Sequence, residues 1–270
     1  MMESSSGPSR IISERIGNFQ LITMNAPERL NAIDSAMMED MKAAIADAES
    51  DPEVGALVVT GAGRGFCAGA TLSEGDGLIG SRDRIGSSLR AVVNPLVMMI
   101  YDSPLPVVAA VNGPAAGAGF GIAMAADVIL ASSSASFTLS FVRIGASLDA
   151  GTSVVVKNAV GTVRAKAMAL LGEKIDAQTA KEWGLVWAIH EPDELMNATH
   201  QVAEQLAAGP RAALASVKRL MNQVGGDRAG LTHALSEEAS AQSAAFRTAD
   251  FVEGVEAFQQ KRPPVFGKGR

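Results

Sequence analysis

Apolar and polar residues alternate over Ile11–Ile16 and again over Phe19–Met24, with Gly17-Asn18 between them. That is the period of two half-buried strands joined by a tight hairpin. From Asp34-Ser35 onward the period lengthens. Met37, Met41, Ala44 and Ile45 recur at helical spacing, with Asp34 or Ser35 as the N-cap of a helix running to about Ala48. Ala56–Thr60 and Val107–Val111 are short, nearly continuous apolar runs, the pattern of buried strands. Between them the spacing predicts a helix over roughly Ser88–Tyr101, stopped by Pro104 and Pro106. Ser73–Gly86, with Gly75, Gly77, Gly80 and Gly86, reads as a mobile loop. A helix of small residues is expected from Gly117 to Ala125, followed by strands over Val128–Ala131 and Ser136–Leu139. After Gly151 the pattern turns mostly helical, with Leu185–Ile189 as one more strand. Periodicity alone predicts alternating α and β elements, which a doubly wound sheet would also satisfy.

Two of the predicted strands run into glycine-rich turns: Gly61-Ala-Gly-Arg-Gly-Phe-Cys-Ala-Gly-Ala-Thr-Leu72 and Val111-Asn-Gly-Pro-Ala-Ala-Gly-Ala-Gly-Phe-Gly121. Small side chains leave main-chain N–H groups uncovered, so two such turns facing each other can hold one developing negative charge. An oxyanion hole needs this, with donors about 3 Å from the oxygen. The pair points to carbonyl chemistry on a bound ester or thioester. Neither turn completes the dinucleotide fingerprint, and neither is followed by the Gly-Lys-Ser/Thr of a phosphate loop.

Composition narrows the picture. The 270 residues are 47% hydrophobic and 19% charged, the balance of an ordinary globular protein, and with only 4% aromatics the aliphatic residues must fill the core. A net charge of −6 argues against nucleic acid as a partner while leaving room for a local basic cluster around a phosphorylated group. The single cysteine, Cys67, permits no internal disulfide, fits a reducing compartment, and sits among small apolar neighbours as a packed thiol. The three histidines carry no metal-ligand spacing, so no metal is expected. No apolar stretch is long enough for a membrane span, and Met1–Ser9 lacks a signal-peptide core and reads as a frayed end. A cytoplasmic location is the expectation.

Together with Asn25-Ala-Pro-Glu-Arg-Leu-Asn-Ala32, Ala126-Asp127, Phe141-Val-Arg-Ile-Gly145 and the tail Phe251–Phe266, the two turns fall in an order that resembles the enoyl-CoA hydratase/isomerase (crotonase) superfamily over about residues 10–266. The resemblance implies an α/β fold, the ClpP/crotonase spiral of β-β-α repeats, with a helical C-terminal region that packs in trimers. On that basis 1–9 is a frayed terminus, 10–200 the spiral core and 201–270 the helical region. It also implies an acyl-CoA thioester as ligand, coenzyme A as part of the substrate with no other cofactor, and a homotrimer or hexamer.

Carried over position by position, the resemblance assigns the oxyanion N–H groups to Ala70 and Ala118. It assigns substrate binding to Arg29, Ala32, Arg64, Ala68, Leu72, Gly117, Phe141 and Lys261. Arg29 and Arg64 are the candidates for phosphate contacts, and Lys261 belongs to a tail that in relatives approaches a neighbouring subunit's site. The family's hydratases use two glutamates, which here fall at Gly121 and Phe141, and neither residue can move a proton. Standard hydratase activity is therefore not expected. Thr71 also departs from the aspartate common after Ala-Gly-Ala.

Asp149 stands where several subgroups carry their working aspartate. It could be the base of a double-bond isomerase, the leading reading. It could instead be the nucleophile of a thioester hydrolase or dehalogenase-like enzyme, with Phe141 against an aromatic acyl group. Its place just before a predicted helix also suits a plain N-cap. If no residue moves a proton, the chain would be a non-catalytic acyl-CoA binder.

Overall fold

The computed structural model describes residues 9–71, 82–223 and 227–267. The expected frayed end (but for Ser9), the Gly-rich stretch up to residue 81, and Leu72 lie outside the described residues. Strands β1 (Ile11–Ile16) and β2 (Phe19–Met24) form the expected hairpin, Ile16 opposite Phe19 around Gly17 at φ +55°. Helix α1 (Ser35–Ser50) follows, capped by Asp34, whose carboxylate accepts from the Met37 N–H at 2.8 Å.

Next come β3 (Ala56–Gly61) and a helical run made of α2 (Ile85–Ser88), a π turn over Leu89–Val93, and α3 (Asn94–Asp102). The wide turn ends two residues before Pro95, which has no N–H to return to the carbonyl four residues back. This run starts at Ile85 rather than Ser88, so the loop reading fails at Ile85 and Gly86. Ile85 is buried, and a Cβ on Gly86 would lie 2.8 Å from the Ala239 carbonyl oxygen. The glycine there admits a packed helix and does not loosen the chain.

Strands β4 (Val107–Val111) and β5 (Pro114–Ala116) lead into α4 (Ala118–Met124). Strands β6 (Val128–Ser132) and β7 (Ser136–Thr138) and a 3₁₀ turn (Ser140–Ile144) precede α5 (Thr152–Val160) and α6 (Thr162–Leu171). The chain closes with β8 (Lys174–Asp176), α7 (Ala177–Glu182), β9 (Ala188–His190), and helices α8 (Leu195–Ala207), α9 (Arg211–Gln223), α10 (Asp227–Ala245) and α11 (Ala249–Gln259). The strand expected over Leu185–Ile189 forms only from Ala188, because the Leu185 N–H closes the turn after α7 on the Ala180 carbonyl.

A six-stranded sheet in the order β1-β2-β3-β4-β6-β9 is parallel apart from the first pair, and a small sheet β5-β7-β8 lies beside it. Cys67 bridges to Ala115, so the turn after β3 also visits the second layer. Each passage through long strand, short strand and helix is one turn of a spiral, as expected, with two sheets and C-terminal helices. Every residue of β3 and β4 is buried because both faces are covered. Leu57 and Val59 join the main core with α1 and α3, whereas Ala56 and Val58 pack with Leu195 and Ala203 of α8.

Candidate active site

The first glycine-rich turn is shaped by two asparagines. Asn31, fully buried at φ +56°, accepts the Ala26 N–H through Oδ1 at 2.9 Å. Its amide donates to the carbonyls of Ala62 (2.9 Å) and Gly65 (2.7 Å). Asn112 adds Nδ2 donation to Gly61 and Gly63 at 2.8 and 2.9 Å. Converging carbonyls require donors, so a carboxylate at either position would repel them.

With the turn drawn in, Ile33 donates to the Gly69 carbonyl at 2.8 Å and accepts from Thr71 N–H at 2.9 Å. Both neighbours of Ala70 therefore bracket Ile33, and the Ala70 N–H is turned the other way, with no acceptor among the described residues. Thr71 holds this register through its backbone N–H.

The second turn meets it closely. Gly117 has φ +52° and ψ −126°, a conformation reserved for glycine, and hands the chain into α4 so that Ala118 is its first residue. The Ala118 N–H is one of the first-turn donors that no helical carbonyl reaches. Gly119 must lack a side chain: a Cβ would fall 2.4 Å from the Cys67 carbonyl oxygen and 2.6 Å from its Sγ. A Cβ on Gly69 would lie 3.7 Å from the Ala118 nitrogen, so the two turns touch. Cys67 is wedged between them, fully buried, its thiol pushed up to about 12 by burial. It is a packing residue.

Asp149 is 5% exposed and does not cap α5. Its Oδ2 accepts from Gln242 Nε2 at 3.0 Å, while Oδ1 is buried without a hydrogen-bond partner among the described residues. The cap comes from another helix: Glu238 of α10 accepts from Gly151 N–H and Ser153 N–H, both at 2.8 Å. Burial first, and then the Glu238 charge, raise Asp149 to about 7 against the opposing Gln242 hydrogen bond. Burial also raises Glu238, against the hydrogen bonds from Ser153 and Gly151.

A carboxyl whose folded value stands above its unfolded 3.8 is protonated in the native state and ionised in the unfolded chain between the two values. Stability is thus full below about 4 and is lost as pH rises through about 7, a loss on the order of 4 kcal/mol. The expected result is that Asp149→Asn, melted calorimetrically at pH 5 and pH 8, gains on wild type at the higher pH. Equal differences at both pH values would show an Asp149 titration unaltered by folding.

Two cavities meet at this carboxyl. One, of about 230 Å³, is walled by Ala68–Ala70, Gly117-Ala118, Phe141 and Asp149, with Arg143, Gln242 and Phe258 beside them. The other, of about 40 Å³, lies on the opposite side of Ala70, Ala118 and Asp149, against Met38, Leu89, Val92 and Val93. A larger cleft of about 550 Å³ between the end of α3 and α9 is elsewhere, and its Lys218 and Asp102 are already paired, with Asp127 and Arg228, at 2.8 Å each. Among the described residues no three metal-ligating side chains converge, and no helix is long and apolar enough to cross a membrane.

Of the residues singled out in the sequence, Ala68, Ala70, Gly117, Ala118, Phe141 and Asp149 share the larger cavity. The Ala68 N–H is already given to the Leu30 carbonyl at 3.0 Å, which leaves its carbonyl for a ligand. Arg29, Ala32, Arg64 and Lys261 wall neither cavity. Arg29 is bound to Asp34, Nη2 to Oδ2 at 2.9 Å. Burial would raise Asp34, but the Met37 hydrogen bond and the Arg29 and Arg10 guanidinium groups hold it below its usual range. Arg64 is exposed, as is Lys261, which ends α11 at φ +52°. Asn31, Asn112, Glu238 and Gln242 escaped the sequence reading. For the last two a signal exists: Leu231, Leu235, Glu238, Gln242 and Phe246 recur at helical spacing, two polar residues on a buried face.

The sequence model of the enoyl-CoA hydratase/isomerase family matches residues 14–269. A Rhodobacter capsulatus protein named as a probable enoyl-CoA hydratase is 42% identical over 252 residues, 91% of this chain and 93% of that one. The 1,2-epoxyphenylacetyl-CoA isomerase of Escherichia coli is 37% identical over 246 residues, with the same coverage. Among solved structures, an enoyl-CoA hydratase from Mycobacterium avium subsp. paratuberculosis superimposes with a TM-score of 0.85 at 38% identity, covering 96% of this chain and 99% of that one.

Proposed function

The chain belongs to the enoyl-CoA hydratase/isomerase family, and we propose that within it this protein moves the C=C bond of an enoyl-CoA thioester. The observation that carries this reading is Asp149: the residue walls both cavities, and its Oδ1 is buried without a hydrogen-bond partner among the described residues. It stands where the positions expected to bear the hydratase acid and base are Gly121 and Phe141.

In the proposed reaction the thioester carbonyl oxygen accepts from the Ala70 and Ala118 N–H groups. Asp149 Oδ1 takes the proton from C2 of a 3-enoyl thioester, and the electron pair left behind spreads over the dienolate onto the carbonyl oxygen. The protonated carboxyl then returns its proton to C4, giving the 2-enoyl isomer and regenerating the base. A base near pKa 7 is matched to both halves of this exchange at neutral pH. Each N–H aimed at the developing charge is worth about 3 kcal/mol in comparable sites.

Phe141 packs its ring beside Gly117, 3.6 Å from where a Cβ would stand, and gives an aromatic wall to the larger cavity. That wall supports a second reading: Asp149 as a nucleophile or water activator on an aromatic acyl group. The 1,2-epoxyphenylacetyl-CoA isomerase of Escherichia coli, whose named substrate carries such a group, weighs toward isomerisation of an aromatic acyl-CoA instead. Coenzyme A enters only as part of the substrate. A cytoplasmic location and assembly as a homotrimer or hexamer go with this reading. Exposed Val163, Leu170, Leu171 and Trp187 offer an apolar surface for packing between copies.

The test is product analysis on a panel of 3-enoyl-CoA thioesters with a free-thiol reagent present. Appearance of the 2-enoyl chromophore without released thiol supports isomerisation. Released CoA supports the hydrolase, and tight binding with neither change supports a silent binder.

A further inference from the structure

We propose that Gln242 and Glu238, one turn apart on α10, form a positioning device that aims Asp149: Gln242 holds Oδ2 and leaves Oδ1 unpartnered among the described residues, and Glu238 pins the backbone that follows. The inference rests on the reading of Asp149 as the base. Its observations are geometric. Gln242 is 1% exposed, and its Oε1 accepts from Ser147 N–H at 2.8 Å, which fixes the amide so that Nε2 donates to Asp149 at 3.0 Å. Glu238, 5% exposed, takes the Gly151 and Ser153 N–H groups. Residues 147–153 are thus tied to α10 on both sides of Asp149 by three N–H groups and one carboxylate oxygen. The Asp149 carbonyl meanwhile accepts from Thr152 N and Oγ1 at 3.1 and 2.7 Å, closing the turn.

An amide suits this place for a physical reason. It donates to the carboxylate and accepts from the backbone, yet neither takes up nor gives away a proton, so the proton on Asp149 has no second carboxyl in hydrogen-bond contact. The pair also acts on the charge of Asp149 in opposite senses. The Gln242 N–H favours the ionised form, and the Glu238 charge opposes it. The other titratable groups lining the two cavities with Asp149, among the described residues, are Asp34 at the start of α1 and Arg143 in the 3₁₀ turn. Helix α4 contributes none.

The experiment compares wild type with Gln242→Leu, Gln242→Glu and Glu238→Gln in two readouts. The first is the pH profile of kcat and KM for the 3-enoyl-CoA reaction. The second is a carboxyl titration followed by infrared difference spectroscopy against Asp149→Asn, which needs no turnover. Gln242→Leu should lower kcat about 10- to 100-fold, the scale of one hydrogen bond to a charged group, with KM within about threefold. It should also move the Asp149 titration to higher pH. Gln242→Glu should move it further the same way, since two adjacent carboxyls share one proton, and Glu238→Gln should move it to lower pH. A merely structural role would lower melting temperatures without opposite titration shifts. An unchanged Asp149 titration in all the variants that fold overturns the inference. Opposite shifts in a wild-type protein that moves no double bond would keep the positioning device and remove the isomerase reading.

Discussion

Asparagine in place of Asp149 is expected to lower kcat for the 3-enoyl to 2-enoyl conversion by about 10³-fold or more, within the range that a positioned acid–base group contributes. KM should change little, because the thioester is held by main-chain N–H groups that the substitution leaves in place. Asparagine is the informative replacement. It matches aspartate in size, its carbonyl can still accept from Gln242 Nε2, and it cannot carry a proton at neutral pH. Alanine would also free the Gln242 amide in a buried site and confound lost chemistry with lost order. In the wild type, kcat should rise with pH toward about 7 and then level, since the carboxyl must be ionised to begin the reaction. Steady-state kinetics of the two proteins side by side check this, and an Asp149→Asn enzyme within tenfold of wild type would remove Asp149 as the base.

Restoring a hydratase-type glutamate by Gly121→Glu is expected to destroy activity and stability together. A Cβ on Gly121 would lie 2.6 Å from both the Cβ and the carbonyl oxygen of Ala150. Ala150 is held at φ +54° directly beside Asp149, so the longer side chain must displace the segment that aims the base. Overpacking costs about 1–3 kcal/mol and an unpaired buried carboxylate about 3–5 kcal/mol, so a loss of about 5 kcal/mol is expected. Gly121→Ala should show the steric part alone. Thermal melts and assays for both hydration and isomerisation check the pair. A folded Gly121→Glu protein that hydrates 2-enoyl-CoA would mean that the pocket yields where the packing is tight.

Much of this site was legible because its frame is local. The run Val107–Val111 is a strand with those bounds, since a parallel strand covered on both faces needs an unbroken apolar sequence. The two glycine-rich turns were visible for the same reason: each follows such a run. Three-residue strands β5 and β8 were not, because Pro114–Ala116 and Lys174–Asp176 are too short to show a period and exist through pairing with β7. The cap and the base readings of Asp149 had the same local signature, an acid shortly before a helix. What separates them is Glu238 and Gln242, 89 and 93 positions further on, placed there by the packing of α10 across α5. Arg29 read as a candidate phosphate contact, and its guanidinium is bound to Asp34, five residues on.

Whether Asp149 carries a proton between two carbons of a bound enoyl thioester is decided by mass spectrometry of 3-enoyl-CoA turned over in D₂O by wild type and Asp149→Asn. With Asp149 as the base, 2-enoyl product forms with the wild type only, leaving unreacted thioester and no free CoA in the variant. Deuterium in the product would report exchange of the Asp149 proton with solvent, and its absence would report direct internal transfer. Equal product from both proteins would place the base elsewhere.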